Sequence, residues 1–355
     1  MNELSDLISE MKDGGKIVLE HGGEYCVYAA DAFDLSGIKC GGEKSAAAFL
    51  SNRKNVVIDG GGSALKIYGG AAAFVLIGCK NVRVKNLTAD FIAEDGAENG
   101  AENGAEVYAA YIKDSENIIF ENVRFRRFRG TGVYAENCKN VALKKTECLL
   151  KEGDGKNCAG FFRFENCKGK AIAESCVARA AGAAGDFIGV RGGGRCDLIV
   201  KNNYAENNAG RGVYYAAGGK AVVAGNTFKK TGGAALCARD CKEYGAAYVK
   251  KIVFENNVAD GCGNAYEEKY SVAYFPTADA DEKGGCKTAD GKTVGKLVLK
   301  ENHFFNPEDE EHRIYLAGVK KATFKNNSFD RPYKIERENV KKLEEKGDVA
   351  AEKCP

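Results

Sequence analysis

The sequence has few of the residues that mark several common classes of protein. It contains 4 prolines, 3 histidines and no tryptophan among 355 residues. The scarcity of proline, together with the lack of a Pro/Ser-rich linker, gives no reason to divide the chain into several globular domains. No CxxC pair accompanies His21, His303 and His312. We therefore predict no metal site, and no motif indicates a cofactor.

Net charge and long apolar runs are lacking as well. With 52 basic and 50 acidic residues the net charge is +2, so we predict that nucleic acid is not a partner. No apolar run reaches the roughly 20 residues of a membrane span. The first residues, MNELSDLI, contain no apolar core of a signal peptide. We predict a soluble protein, cytoplasmic as written, or secreted or periplasmic if an export signal was removed.

Glycine and cysteine, by contrast, are abundant. The 44 glycines fit many short strands joined by turns. The 14 cysteines are scattered, and many follow an Asn or lie in strand patterns, as in a long chain that is not held together by disulfides. We predict that these are reduced, buried residues of small apolar character: Cys79, Cys138, Cys148, Cys167, Cys176, Cys196 and Cys262.

A loose repeat runs along most of the chain: an apolar residue, any residue, an apolar residue, one or two polar residues and then Asn. It is seen at residues 82–87, 118–123 and 252–257. Its steps range from 23 residues (Asn203 to Asn226) to 36 residues (Asn86 to Asn122). These steps predict the coils of a solenoid, with the Asn side chains stacked inside the turns.

The predicted fold class is all-β, a right-handed parallel β-helix with a short N-terminal capping helix. Leu4, Leu7, Ile8 and Met11 have the i, i+3, i+4, i+7 spacing of an amphipathic helix. We divide the chain into the capping helix at residues 1–15, the parallel β-helix at 16–335 and a polar C-terminal tail at 336–355. The tail is predicted to be a polar helix or a frayed end.

Two motifs carry a family resemblance. Residues 55–62, NVVIDGGG, and 81–90, NVRVKNLTAD, resemble the pectate-lyase-like β-helix superfamily and, more narrowly, the bacterial α-1,3-galactosidases of glycoside hydrolase family 110. The resemblance implies a glycoside hydrolase that releases terminal α-galactose. Among the carboxylates of the family site only Asp186 is matched, while Gly160, Arg163, Gly189 and Arg191 replace other family residues.

The candidate catalytic residues follow from coil spacing. Inverting glycosidases need two carboxyl groups about 6.5–9.5 Å apart. Asp240 lies 54 residues after Asp186 (240 minus 186), about two coils, so their backbones are expected roughly 10 Å apart. Glu165 lies 21 residues before Asp186 (186 minus 165), about one coil. We predict Asp186 with either Asp240 or Glu165 as the pair; the alternative is that these acids are turn or loop residues.

Arginines and tyrosines recur near the same stretches and are the candidate residues for binding an oligosaccharide or polysaccharide, since Tyr stacks on sugar faces and Arg holds hydroxyls or carboxylates. They are Arg163, Arg191, Arg211, Arg239, Tyr134, Tyr214 and Tyr244. Alternatively the arginines are solvated turn residues paired with nearby acids.

Two functional alternatives remain open at this point. One is a non-catalytic glycan-binding or structural β-helix with a degenerate site. The other is a polysaccharide lyase acting on acidic glycans with an Arg or Lys base, an alternative suggested by Arg163 and Arg191.

Overall fold

The computed structural model describes residues 3–36, 45–69, 71–92, 108–128, 130–152, 158–181, 184–192, 194–239, 249–263, 270–276, 294–307 and 309–350. It contains helix α1 (Glu3–Ser9), a short 3-10 turn (Ala29–Asp31) and otherwise strands. In the first half these are β1 Lys16–Val18, β2 Glu24–Val27, β3 Phe33–Asp34, β4 Ser45–Ser51, β5 Lys54–Tyr68, β6 Ala72–Ile77, β7 Lys80–Ile92, β8 Tyr108–Lys113, β9 Glu116–Arg126, β10 Thr131–Glu136, β11 Lys139–Lys144, β12 Glu147–Glu152, β13 Cys158–Glu165, β14 Lys168–Glu174, β15 Val177–Ala181 and β16 Ala184–Gly192.

In the second half the strands are β17 Cys196–Lys201, β18 Tyr204–Glu206, β19 Val213–Ala217, β20 Lys220–Ala224, β21 Thr227–Lys229, β22 Leu236–Ala238, β23 Lys251–Glu255, β24 Val258–Asp260, β25 Ala273–Phe275, β26 Val294–Lys300, β27 His303–Phe305, β28 His312–Ala317, β29 Val319–Lys325, β30 Ser328–Phe329, β31 Tyr333–Glu338, β32 Leu343–Lys346 and β33 Val349–Ala350.

The strands form the parallel β-helix that the repeat predicted. Each coil contributes one strand to a 12-stranded sheet, which we call the site sheet, in the order β3-β4-β6-β8-β10-β13-β16-β19-β22-β25-β28-β31. The remaining strands form a 21-stranded sheet that covers the other sides of the coils. All pairings are parallel except β3 with β4, which is antiparallel. The order places the paired residues of each site-sheet strand directly opposite residues of the next coil, as for Tyr134 and Arg163.

The core runs along the solenoid axis and is built by alternation within each strand. In β9, Ile118, Phe120, Val123 and Phe125 are completely buried, while the residues between them face outward. Burying such side chains contributes about 1.5–3 kcal/mol each, which drives the coils together. The seven cysteines predicted to be buried are all buried, which confirms that part of the interpretation.

A ladder of buried asparagines follows one corner of the coils and comprises Asn203, Asn226, Asn257, Asn302 and Asn327. In each step the side-chain Nδ2 donates to the Oδ1 of the next Asn, at 2.8–3.1 Å, and to a backbone carbonyl of the preceding coil. These bonds satisfy buried backbone groups where the chain turns. The predicted stacking of Asn inside the turns is therefore confirmed for this half of the molecule.

The Asn residues of the earlier coils behave differently. Asn86 and Asn122 have positive φ angles of 55° and 53°, a left-handed conformation that Asn tolerates better than most residues. The apolar residues that follow them, Leu87 and Val123, are the ones buried in the core. Nδ2 of Asn122 donates to Oδ1 of Asn86 on the surface of the coil. The expectation that the repeated Asn always lies inside was therefore wrong for these coils.

The two ends of the solenoid are closed in different ways. Leu4, Ile8 and Met11 of the N-terminal segment are buried, and α1 packs against β4. At the other end, residues 336–350 were expected to be helical or frayed, but β32 and β33 pair with β29 and β30. They do so because Leu343 and Ala350 pack on the last coil, and Asp348 accepts hydrogen bonds from Asn327. The three-part division of the chain remains a prediction.

Candidate functional site

A single row of side chains crosses the outer surface of the site sheet. The register of successive strands aligns Phe49, Val75, Tyr111, Tyr134, Arg163, Gly189, Tyr214, Cys237, Tyr274 and Tyr315. Neighbouring members are about 4.8 Å apart, the spacing between paired strands. We call this series the central row. It places aromatic and arginine side chains beside one another on one face of the molecule.

Gly189 interrupts the central row between Arg163 and Tyr214. An ideal Cβ at Gly189 would meet only Oδ2 of Asp186, at 3.8 Å, so there is room for a small group outside the backbone, although Gly189 itself is buried between the neighbouring side chains. The preceding and following residues, Ile188 and Val190, point into the core and are fully buried. We call this opening the Gly189 notch, and one carboxylate oxygen of Asp186 faces it.

Asp186 is anchored at the side of the notch. Its Oδ1 accepts a hydrogen bond from the backbone N–H of Arg211 at 2.8 Å. Two guanidinium groups lie 4.0 Å from its oxygens, Arg191 from Oδ2 and Arg211 from Oδ1. The local contact with backbone resembles that of a turn residue, yet the second oxygen stays directed toward the notch.

Tyr214 lies beside Gly189 on the next coil and borders the notch on its C-terminal side. The guanidinium carbons of Arg191 and Arg211 lie 4.8 Å and 4.9 Å from its ring centroid, within the range of cation–π contacts. Burial raises the pKa of Tyr214 to about 12, so the phenol is neutral at physiological pH. The positive charges of Arg191, Arg239 and Arg211 oppose this effect and lower the pKa of the same hydroxyl. The tyrosine thus fixes two of the arginines predicted to bind substrate.

Arg163, Glu165 and Tyr134 form a second group on the N-terminal side of the notch. Nη2 of Arg163 lies 2.6 Å from Oε1 of Glu165, and the hydroxyl of Tyr134 donates to Oε2 at 2.7 Å. The Arg163 guanidinium also lies 5.3 Å from the Tyr134 ring centroid. Burial, followed by the adjacent Glu165, raises the pKa of Tyr134 well above its usual range. Both oxygens of Glu165 are therefore engaged.

The structure places the three candidate acids as follows. Asp186 and Glu165 lie on adjacent strands, as the coil spacing predicted, but Asp186 pairs with Gly160 whereas Glu165 pairs with Arg191. The five-residue offset (191 minus 186) corresponds to roughly 16 Å along a strand. The two side chains therefore flank the Gly189 notch from opposite sides. Asp240 and Tyr244 lie outside the described residues.

Sequence reasoning missed several aromatic members of the central row. Tyr111 stacks with Tyr134, and Tyr274 and Tyr315 extend the row on the other side. These residues lie in strands between the Asn repeats, and the coil lengths around them vary. A count of residues therefore could not place them in one row. Two signals were available in the sequence: the β-strand propensity of tyrosine, and a constant distance of six residues to the start of the next strand pattern, as from Tyr111 to Asn117 and from Tyr134 to Asn140.

The described residues contain no group of three or more His, Cys, Asp or Glu side chains arranged to hold a metal ion. Within the same residues no helix is long and apolar enough to cross a membrane.

Comparison with known proteins agrees with this architecture. Residues 36–329 match the family model described as right handed beta helix region. A segment of 85 residues is 28% identical to alpha-1,3-galactosidase A of Bacteroides fragilis, covering 23% of this chain and 14% of that protein. The match thus spans about one seventh of the curated relative.

Several solved structures share the fold at low sequence identity. A tailspike protein mutant of E. coli bacteriophage HK620 has a TM-score of 0.63 at 12% identity, covering 96% of this chain and 60% of that chain. The endo-xylogalacturonan hydrolase of Aspergillus tubingensis has a TM-score of 0.58 at 12% identity, covering 94% and 91%. The mannuronan C-5 epimerase A-module of Azotobacter vinelandii has a TM-score of 0.54 at 15% identity, covering 98% and 93%.

At such identities these structures support the fold alone, whereas the family model covers most of the chain. The short similarity to alpha-1,3-galactosidase A supports the resemblance to glycoside hydrolase family 110. The chain belongs to the family of right-handed β-helix proteins.

Proposed function

We propose that this protein is a carbohydrate-active β-helix protein that hydrolyses a glycosidic bond at the Gly189 notch and releases a terminal α-galactose by inversion. The observation that carries the proposal is the missing side chain at Gly189 in the central row. The gap lies between Arg163 and Tyr214, and Oδ2 of Asp186 faces it. The local similarity to an α-1,3-galactosidase is the reason for choosing galactose.

The contacts suggest separate roles for the residues around the notch. A terminal sugar seated at Gly189 has the guanidinium groups of Arg163 and Arg191 for its hydroxyls. Tyr214 is only 8% exposed and holds Arg191 and Arg211 in place through its ring. Asp186 reaches the sugar through Oδ2, because Oδ1 is held by the backbone of Arg211. Hydrolysis with inversion then requires one carboxylic acid to protonate the leaving oxygen and one carboxylate to activate water.

The second carboxyl group is Asp240 or Glu165 in this proposal. Glu165 is on the adjacent coil, but its backbone lies roughly 16 Å along the strands from that of Asp186. To come within the roughly 6.5–9.5 Å of an inverting pair, its side chain would have to leave Arg163 and Tyr134 and turn toward the notch. Strand β22 lies two coils beyond the strand that holds Asp186, and Arg239 after it is the last described residue before Asp240 in the sequence. The two choices are separable by mutating each acid in turn.

A non-catalytic glycan-binding protein is the second candidate. The specific observation in its favour is that both oxygens of Glu165 are already bonded to Arg163 and Tyr134. A carboxylate fixed in this way supports the shape of the surface and is not poised for proton transfer. This candidate uses the same notch and the same arginines but cleaves nothing.

The deciding experiment measures galactose release from α-1,3-linked galactosyl oligosaccharides by the wild type, Asp186→Asn and Asp197→Asn. Asp197 is a matched control, because its Oδ1 also accepts a backbone N–H bond, from Lys220 at 3.0 Å, but on the other sheet. We expect Asp186→Asn to lower the rate by about 10²–10⁴-fold, the typical contribution of a general acid or base. Asp197→Asn should retain wild-type activity.

Asparagine preserves the Oδ1 acceptor for Arg211, so the Asp186 variant should remain folded. Release of galactose at the same rate by Asp186→Asn would refute the catalytic role. Binding of the oligosaccharide by the wild type without any release would favour the glycan-binding candidate.

A further inference from the structure

A second cluster of tyrosines lies on the site sheet beyond the notch. We infer that Tyr270, Tyr274 and Tyr315, here called the tyrosine platform, form a remote subsite that stacks on a neutral sugar of a glycan extending from the Gly189 notch. The inference rests on the proposed function in that it extends the same ligand, but it concerns binding and not cleavage.

The three rings form a continuous aromatic surface. The ring centroids of Tyr270 and Tyr274 are 5.0 Å apart with nearly parallel planes, 15° between them. Tyr315 lies 5.5 Å from Tyr270 and 5.7 Å from Tyr274. Tyr274 and Tyr315 are members of the central row, and Tyr270 lies just before β25.

Exposure distinguishes this platform from the other tyrosine stack of the same face. Tyr108, Tyr111 and Tyr134 are also stacked, but they are buried, with relative exposures of 5%, 1% and 7%. All three platform rings are only partly buried. The first stack therefore supports the sheet, whereas the second presents ring surface to a ligand.

The platform is held in a fixed orientation by two acids at its edge. The Tyr270 hydroxyl donates to Oε2 of Glu336 at 3.2 Å, and the Tyr315 hydroxyl donates to Oε2 of Glu338 at 3.0 Å. Burial, then the charge of Glu336, raises the pKa of Tyr270 to about 12, so this phenol stays protonated and keeps donating. A surface that is ordered before binding loses less conformational entropy when a ligand arrives.

The chemistry of the platform matches a neutral sugar. Tyrosine combines an apolar ring with a polar hydroxyl, as does a sugar ring with apolar faces and hydroxyls at its edge. Glu336 and Glu338 at the rim can accept hydrogen bonds from sugar hydroxyls. Oε1 of Glu336 is paired with Nζ of Lys334 at 3.2 Å, so the rim has no surplus of positive charge that would favour an anionic sugar. The arginines around the notch make that site chemically different.

The distance between the two sites sets the length of the ligand. From Gly189 the central row passes through Tyr214 and Cys237 to Tyr274, three strand steps or about 14 Å. That span is longer than one sugar ring, so only a longer oligosaccharide reaches from the notch to the platform. Between the two sites, Cys237 is buried in a cluster with Tyr214, against which Tyr274 packs.

The test compares short and long ligands in the full-length chain. Asp186→Asn, which should cleave about 10²–10⁴-fold more slowly than the wild type, is titrated by calorimetry with a disaccharide and with a hexasaccharide that share the same terminal α-galactose. Adding Tyr274→Ala should weaken hexasaccharide binding about tenfold, equivalent to roughly 1.4 kcal/mol, and leave disaccharide binding unchanged. Tyr274→Phe, which keeps the ring, should retain most of the affinity.

Tyr28→Ala is the matched control, because Tyr28 is also an exposed tyrosine in a stacked pair, 4.8 Å from Tyr68, but near the N-terminal end. It should not affect either ligand. Equal loss for both ligands in Tyr274→Ala, no loss for either, or no binding of either by Asp186→Asn would overturn the inference. A length-dependent effect without galactose release by the wild type would support the platform and refute the hydrolase.

Discussion

Asp348 occupies the last position of the asparagine ladder, where the pattern calls for an Asn. This difference predicts how a substitution at Asp348 changes stability. Its Oδ1 accepts from the backbone N–H and from Nδ2 of Asn327, at 2.7 Å and 2.8 Å, as the Oδ1 of each ladder Asn after Asn203 accepts from the preceding Asn. Each ladder Asn after Asn203 also donates Nδ2 to the carbonyl three residues before the previous Asn, for example Asn327 to Leu299. At Asp348 the corresponding acceptor is the carbonyl of Phe324.

A carboxylate cannot make this bond, and Oδ2 of Asp348 is a buried oxygen without a hydrogen-bond partner among the described residues. Asp348→Asn supplies the missing donor. A hydrogen bond contributes about 0.5–1.5 kcal/mol, and an unsatisfied buried group costs about 1–3 kcal/mol. We therefore expect Asp348→Asn to raise the free energy of unfolding of the last coils by about 1–2 kcal/mol near neutral pH.

The pH dependence gives the prediction a second readout. Burial raises the pKa of Asp348, an effect that the bonds from Asn327 oppose, so the folded chain favours the protonated acid. Wild-type stability from this group is thus present at low pH and lost as pH rises through the raised pKa. The advantage of Asp348→Asn should be largest above that pKa and should shrink as the pH falls below it.

Urea unfolding, followed by circular dichroism at several pH values, measures both effects. The reciprocal variant Asn257→Asp places a carboxylate inside the ladder, where Nδ2 now donates to Val223 and Asn302, and should cost about 4 kcal/mol from lost bonds and desolvation. If Asp348→Asn is neutral or destabilising at pH 7, the inferred bonding rule of the ladder is wrong.

Two further predictions concern the notch and the thiols. Gly189→Ala should narrow the notch and weaken glycan binding with little change in melting temperature, since an added Cβ meets only Oδ2 of Asp186 at 3.8 Å. Gly132→Ala should lower the melting temperature strongly, because its Cβ would lie 2.6 Å from a carbonyl oxygen. Among the described cysteines, exposed Cys26 should react with Ellman's reagent in the native state. Cys176 should react only after unfolding, because burial raises its pKa to about 12. Reaction of Cys176 in the native protein at the rate of Cys26 would contradict this assignment.

The fold was predictable because its signals are local. Alternating apolar residues such as Ile118 and Phe120 identify strands within one coil, and the Asn repeat identifies the corners. The C-terminal strands were not predicted, since Leu343 is surrounded by charged residues and its partner β29 comes from the previous coil. Local composition favours a helix there, but pairing to an existing sheet edge determines the structure.

The candidate site was predictable only in part. Arg163, Arg191 and Arg211 were identified as a group, and they lie around one notch. Their alignment with Gly189 depends on the register of strands that are separated by loops of unequal length. Glycine carries no side-chain chemistry, so its role as an opening in a row of large residues is visible only when the neighbouring coils are placed beside it.

The asparagine ladder has a consequence for how this molecule can change. Its successive members are separated by 23, 31, 45 and 25 residues, yet each occupies the same corner of its coil. The number of residues between two ladder positions can therefore change without moving the next strand. A longer connection beside the central row can add new side chains to the binding face, while the alignment of the row itself stays the same.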